Sequence, residues 1–214
     1  MKRLIPVLLY KDGYLVKSRN FKDFQTIGNP FEEVKRFNEW NVDELIFLNI
    51  SSNIKSYQGR PDFKNQKYFE YIDLIKEINK NCFMPLTFGG GIRSFSDIEK
   101  ILKNGADKVV INSLAFYDHK QINHASEKFG NQALVLNIDV KKIENEYFVF
   151  IERGTVNTKI SLNLWLEKIK NNINIGEILI QRIDFDGMAC GYDLDLIEIV
   201  KNRLNLPVII LGGL

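Results

Sequence analysis

Cysteine is scarce in this chain. Its 214 residues hold two, Cys82 and Cys190, far apart and without a Cys-x-x-Cys spacing or neighbouring histidines. That argues against a disulfide scaffold and a thiolate metal site, and fits a reducing, cytoplasmic setting. Histidine is equally rare. His119 and His124 lie on one predicted helix but share a face poorly, so no metal pair is expected there. No excess of one charge exists either: 29 Lys and Arg stand against 27 Asp and Glu, a net charge of +2, which gives no electrostatic reason to expect nucleic acid. Long apolar runs are missing. The first, over residues 4–9, stops short of both a signal-peptide core and a membrane span. No cofactor is expected.

What is present is alternation. Short apolar runs suggest strands over residues 4–9, 44–49, 84–88, 108–112, 133–139, 177–183 and 207–211. Between them, amphipathic stretches predict helices over 30–40, 66–80, 94–104, 119–129, 161–171 and 193–204. The runs are nearly continuous hydrophobics, as in strands covered on both faces, so a parallel α/β sheet with crossover helices follows. Residues 14–17, after the turn Lys11-Asp12-Gly13, and residues 146–154 read as added hairpin strands. Residues 51–65 form a polar loop with Gly59 and Pro61, either mobile or lying over a site.

The chain also repeats itself. Pro85-Leu86-Thr87-Phe88-Gly89-Gly90-Gly91-Ile92 is echoed by Pro207-Val208-Ile209-Ile210-Leu211-Gly212-Gly213-Leu214. Residues 44–48 and 177–180 match at a similar offset, and Leu9 falls opposite Asp139. The expectation is a (βα)8 TIM-barrel type with internal half-barrel duplication, forming one domain over residues 1–214 and truncated after its seventh strand.

In such barrels the chemistry sits at the C-terminal ends of the strands. Three consecutive glycines, with Gly90 and Gly91 as candidates, exceed what a tight turn needs and point to phosphate. Asn112 and Ser113 add side-chain donors after the fourth strand. Asp139 closes the fifth, either as a general acid or base or as a brace for its loop. Asp186 and Gly187, in Asp184-Phe185-Asp186-Gly187, offer either a ligand carboxylate or an Asp-Gly turn. Lys17 could reach an anion. At the opposite end, Arg3, Glu44, Lys108 and Glu177 sit at the starts of strands 1, 2, 4 and 6 with alternating charge. They read as a ring of ion pairs or as ordinary solvated charge.

Residues 5–13, residues 43–48, Gly89-Gly90-Gly91-Ile92-Arg93, residues 105–112 and residues 184–187 recur in order as they do in one family. Over essentially its whole length the chain resembles the cyclase subunit of imidazole glycerol phosphate synthase. The resemblance implies a barrel with two phosphate sites, Gly213 belonging to the second. It implies a glutaminase partner that supplies ammonia, and a pair of catalytic aspartates at the ends of strands 1 and 5. It makes Arg3, Glu44, Lys108 and Glu177 the ammonia gate and Asp107 a residue of the glutaminase interface.

Against that pattern, Leu9 stands at the strand 1 aspartate, Asn49 at a second aspartate, Gln181 at a threonine and Leu211 at a serine. Leucine transfers no proton. The gate is kept while one acid is lost, which suggests another ammonia acceptor. The start at residues 8–13, the loop Gly59-Arg60-Pro61-Asp62 and Cys82-Phe83-Met84-Pro85 resemble a branch associated with glycosyl amidation of surface polysaccharides, which works with a glutaminase and a sugar amidotransferase. The alternatives are the ordinary histidine-pathway cyclase and a barrel that only activates its glutaminase. The family pattern continues beyond Gly212-Gly213, so an incomplete barrel of marginal stability is expected.

Overall fold

The computed structural model describes residues 2–51 and 71–213. The chain divides into two compact units. One comprises residues 1–17, 25–91 and 96–109, the other 18–24, 92–95 and 110–214.

The first unit is built from β1 (Val7–Lys11), most of β2 (Tyr14–Arg19) and β3 (Asp23–Gly28), α1 (Pro30–Glu39), β4 (Leu45–Asn49), α2 (Tyr71–Asn81), β5 (Leu86–Gly89), most of α3 (Phe95–Lys103) and the first half of β6 (Lys108–Ile111). Strand β4 lies between parallel neighbours. Val7 pairs with Ile46 on one side, and Leu45 with Leu86 on the other. Leu45, Ile46 and Phe47 are fully buried, so β4 is covered on both faces and its apolar run is accounted for. Helix α1 starts where the sequence dictates: the Asn29 side chain accepts the Phe31 N–H at 2.8 Å, and Pro30 gives up no useful donor at the first position.

The second unit holds α4 (Ser113–Tyr117), α5 (His119–Phe129), β7 (Leu134–Ile143), β8 (Glu146–Ile151), β9 (Val156–Ser161), α6 (Leu162–Asn172), β10 (Glu177–Arg182), α7 (Leu194–Arg203) and β11 (Val208–Leu211). Strand β10 pairs in parallel with β7 and β11. Strands β7, β8 and β9 form antiparallel hairpins. Alternating helices and mostly parallel strands make this an α/β fold, consistent with a TIM-barrel-like type.

Several expectations shift. The first strand starts at Val7, not at residue 4, because Leu4 is 71% exposed and spends its N–H on the Asp43 carboxylate. The strand expected over 133–139 runs on to Ile143, since its second half pairs with β8, from Asp139↔Phe150 to Ile143↔Glu146. The strand over 146–154 ends at Ile151, and β9 follows it. Strand β3 and the short helix α4 were not anticipated. The helix expected over 66–80 is described only from Tyr71, and most of the polar loop 51–65 lies outside the described residues. Among the described residues, no helix is long and apolar enough to cross a membrane, no group of three His, Cys, Asp or Glu could hold a metal, and both cysteines are free thiols.

Candidate functional site

In the first unit the informative group is Glu44, one residue before β4 and only 2% exposed. Its Oε1 accepts the Thr87 hydroxyl at 2.7 Å. Its Oε2 accepts Arg3 Nη1 at 3.0 Å and Lys108 Nζ at 2.9 Å. The β4–β5 register places Glu44 and Thr87 at one end of the strands, and Lys108 opens β6. Three donors, two of them cationic, satisfy both oxygens of this buried carboxylate. Three of the four expected gate residues are thus assembled as an ion-pair cluster rather than as solvated charge. Glu177 belongs to the second unit, where it opens β10 opposite Val135. Asp107 braces strand β5, accepting the Leu86 N–H at 2.8 Å.

At the other end of these strands Leu9 pairs with Val16 and Leu48 and is half-buried among hydrocarbon. Asn49 is buried and accepts the Ser51 N–H at 3.0 Å. Lys17 is exposed on β2. Gly90 and Gly91 have φ of +98° and +68°. A Cβ on Gly90 would stand 2.0 Å from the Asn49 carbonyl oxygen, so this glycine is required by the close approach of two backbones. Gly90→Ala is therefore expected to cost about 2 kcal/mol, read as a lower midpoint in chemical denaturation. An unchanged midpoint would contradict that packing.

The second unit holds the candidate acid. Asp139 lies on β7 and is 3% exposed. Asn112 Nδ2 donates to its Oδ2 at 2.8 Å and Asn137 Nδ2 to its Oδ1 at 3.0 Å. Asn112 ends the loop side of β6, and Asn137 precedes Asp139 by two on the same strand, hence on the same face. Burial pushes the Asp139 carboxyl up to about 7; the two amides oppose this and the charge of Asp186 adds to it. A carboxyl with that value exchanges protons readily at neutral pH.

Register sets Gln181 of β10 beside Asp139. The Gln181 amide donates to Asp186 Oδ1 at 3.1 Å. Asp186 Oδ2 takes the Ser18 hydroxyl at 2.5 Å and the Phe21 N–H at 3.2 Å. Ser113 Oγ accepts the Glu152 N–H at 3.0 Å. Gly187 has φ +66°, and a Cβ there would sit 2.3 Å from the Ser18 carbonyl oxygen. Gly213 donates its N–H to Phe185 O at 2.9 Å and accepts from Gly191 N at 2.7 Å. Its backbone donor is engaged within the chain.

Sequence reasoning missed Thr87, Asn137 and Ser18, and noted Gln181 only as a departure. Asn137 was open to discovery, two residues from Asp139 on one strand face. Thr87 and Ser18 meet their carboxylates from distant positions and leave no local signal.

The family model described as histidine biosynthesis protein matches residues 3–214. A Campylobacter jejuni protein provisionally named imidazole glycerol phosphate synthase subunit hisF2 is 45% identical over 99% of this chain and 79% of its own length. The imidazole glycerol phosphate synthase subunit HisF of Sulfolobus acidocaldarius is 41% identical over 99% of this chain and 80% of its own. That of Campylobacter concisus is 41% identical over 99% and 79%.

Proposed function

Because the chain belongs to the histidine biosynthesis protein family, and is a homologue of its HisF-type cyclase subunits, we propose that it accepts ammonia from a glutaminase partner and passes it to an acceptor other than the bisphosphate ribulosyl substrate. The acceptor we favour is a surface-polysaccharide sugar, amidated with the help of a sugar amidotransferase. One contrast carries the reading. The Glu44 cluster with Arg3, Lys108 and Thr87 is fully bonded, whereas position 9 holds hydrocarbon where a two-carboxylate cyclase needs an acid. Asp139 is left as the acid or base of the remaining chemistry. Lys17 with the turn at Gly90 and Gly91, and separately Ser113 and Gly187, are the places for a phosphorylated ligand.

The half-barrel duplication belongs to the same proposal. It is supported by the echoed glycines: Gly90 and Gly212 have φ of +98° and +93°, Gly91 and Gly213 of +68° and +90°.

A direct assay tests the acceptor. The chain with ammonium salt and the bisphosphate ribulosyl substrate is expected to form no imidazole product. With glutaminase, glutamine and the sugar amidotransferase, loss of this chain is expected to abolish nitrogen transfer to the sugar. Imidazole product formed at the rate of a HisF with both aspartates would overturn the proposal.

One observation favours a second reading, the authentic cyclase of histidine biosynthesis: the Asp139 carboxyl is held near neutrality by burial, as an acid–base group should be. Leu9→Asp separates the two. Under the second reading it raises cyclase turnover by about a hundredfold or more. Under the first it changes nothing, because the substrate is different.

A further inference from the structure

Asp186 is the residue whose sequence expectation and surroundings diverge most. It was a candidate substrate ligand, yet it is 7% exposed and both its oxygens are engaged. The hydroxyl of Ser18 and the N–H of Phe21 share Oδ2, the Gln181 amide holds Oδ1, and its backbone carbonyl accepts the Asn20 N–H at 3.0 Å. All but one of these bonds reach Ser18 or the turn that follows it. That turn is strained: Asn20 and Phe21 are consecutive non-glycine residues at φ +53° and +59°. The Phe21 ring is seated too. A Cβ on Gly154 would meet Phe21 Cδ2 at 2.8 Å and Ile183 Cδ1 at 2.9 Å, so only glycine lets Phe21 lie there.

The same carboxylate is linked to the strand neighbour of Asp139. Gln181 is paired in register with Asp139 and bonded to Asp186. We propose that Asp186 and Gln181 are positioning residues: they latch the turn at Asn20 and Phe21 and, through that latch, keep a fixed negative charge beside Asp139. This rests on the reading of Asp139 as the acid or base of the site. Ser18 and Phe21 supply two of the donors that hold the Asp186 carboxylate, so the turn in place and the carboxylate in place are one state.

The groups around the two carboxyls fit this assignment. Asp139 faces Asn137 on its own strand, Asn112 from β6, Phe150 from β8 and Gln181 from β10. Lys141, two residues along β7, lies over the Phe150 ring. Arg182, next to Gln181, is committed to Asp193 at 2.7 Å, with Asp184 at 3.6 Å from its Nε. In the turn, Arg19 Nε points to Met188 Sδ and Lys22 is exposed. Asp186 is the negative group that acts on Asp139.

Carbon-detected NMR of the full chain tests the device without turnover. In Asp186→Asn, which keeps shape and removes charge, the titration midpoint of Asp139 is expected to fall by about half a pH unit or more. Exchange of the Phe21 amide proton is expected to speed up about tenfold. Gln181→Leu removes one donor and leaves Ser18 and Phe21 in place. It is expected to move the Asp139 midpoint in the same direction, and it serves if the first variant does not fold. A midpoint that stays within about 0.2 of a unit in a folded variant overturns the proposal. A moved midpoint in a chain whose Asp139→Asn variant keeps full activity supports the latch and sinks the acid role, so the two ideas fail separately.

Discussion

Asp139→Asn is expected to lower turnover by about 10²- to 10⁴-fold, the range for losing a positioned acid or base, and at the same time to remove the pH-dependent loss of stability that the Asp139 carboxyl contributes. The second effect follows from sign. In the native chain the Asp139 carboxyl is raised from 3.8 to about 7, chiefly by burial. Between those values the folded state keeps a proton that the unfolded state has released. The Asp139 contribution to stability therefore falls as pH climbs from about 4 to 7 and is flat above. The full span corresponds to no more than about 4 kcal/mol, reduced by whatever water and relaxation reach the site. The asparagine amide that replaces the carboxyl has no proton to lose in this range. Denaturation midpoints at pH 4.5, 6 and 8 are expected to converge for Asp139→Asn and to decline for the native chain. Parallel curves would show that Asp139 titrates normally. Full activity in the variant would favour a barrel that merely activates its glutaminase.

The variant also separates chemistry from bracing. The Asn112 and Asn137 amides both donate to Asp139. An asparagine side chain offers one acceptor oxygen in place of two, so one of those donors loses its partner, at a cost of about 1 kcal/mol at every pH. That uniform loss is distinct from the pH-dependent gain, and the two are read from the same three curves.

Much of this site was legible in the sequence because its members sit at repeating places. Asp139 ends an apolar run, Glu44 and Lys108 begin others, and strand ends are where barrel chemistry and barrel floors are found. Gly90 was legible as a glycine but not for its reason. Sequence suggested phosphate, and the structure adds an Asn49 carbonyl with no room for a Cβ. Strand β3 was hidden because five of its six residues are exposed, so no hydrophobic period marks it. Helix α4 has five residues, too few to display one. Asp186 looked like a ligand because an Asp-Gly pair after a strand usually reads as loop chemistry. Its partners Ser18 and Phe21 are more than 160 positions away, and no local pattern announces a contact of that range. Leu9 is the reverse case: its place in the proposal rests wholly on what it is not.

Removing the carboxylate of Glu44 is expected to cause the largest loss of stability. Glu44→Ala takes from Thr87, Arg3 and Lys108 the buried carboxylate that all three contact. Breaking a buried pair from one side costs about 3–5 kcal/mol. Arg3 is 35% exposed and Lys108 17%, so water recovers part of their loss and about 3 kcal/mol is the expected figure. Glu44→Gln keeps the volume and one acceptor for Thr87 but drops the charge, and about half that cost is expected. Urea midpoints at low salt rank the three chains. Equal midpoints for Ala and Gln would mean that charge, not packing, holds the cluster. Function supplies an independent reading. Under the proposed ammonia route, glutamine-driven transfer is expected to fall in Glu44→Gln while ammonium-driven transfer persists, because the acid at Asp139 is untouched and only the entry has changed. If both fall together, the cluster is a structural floor, and the nitrogen reaches its acceptor by another way.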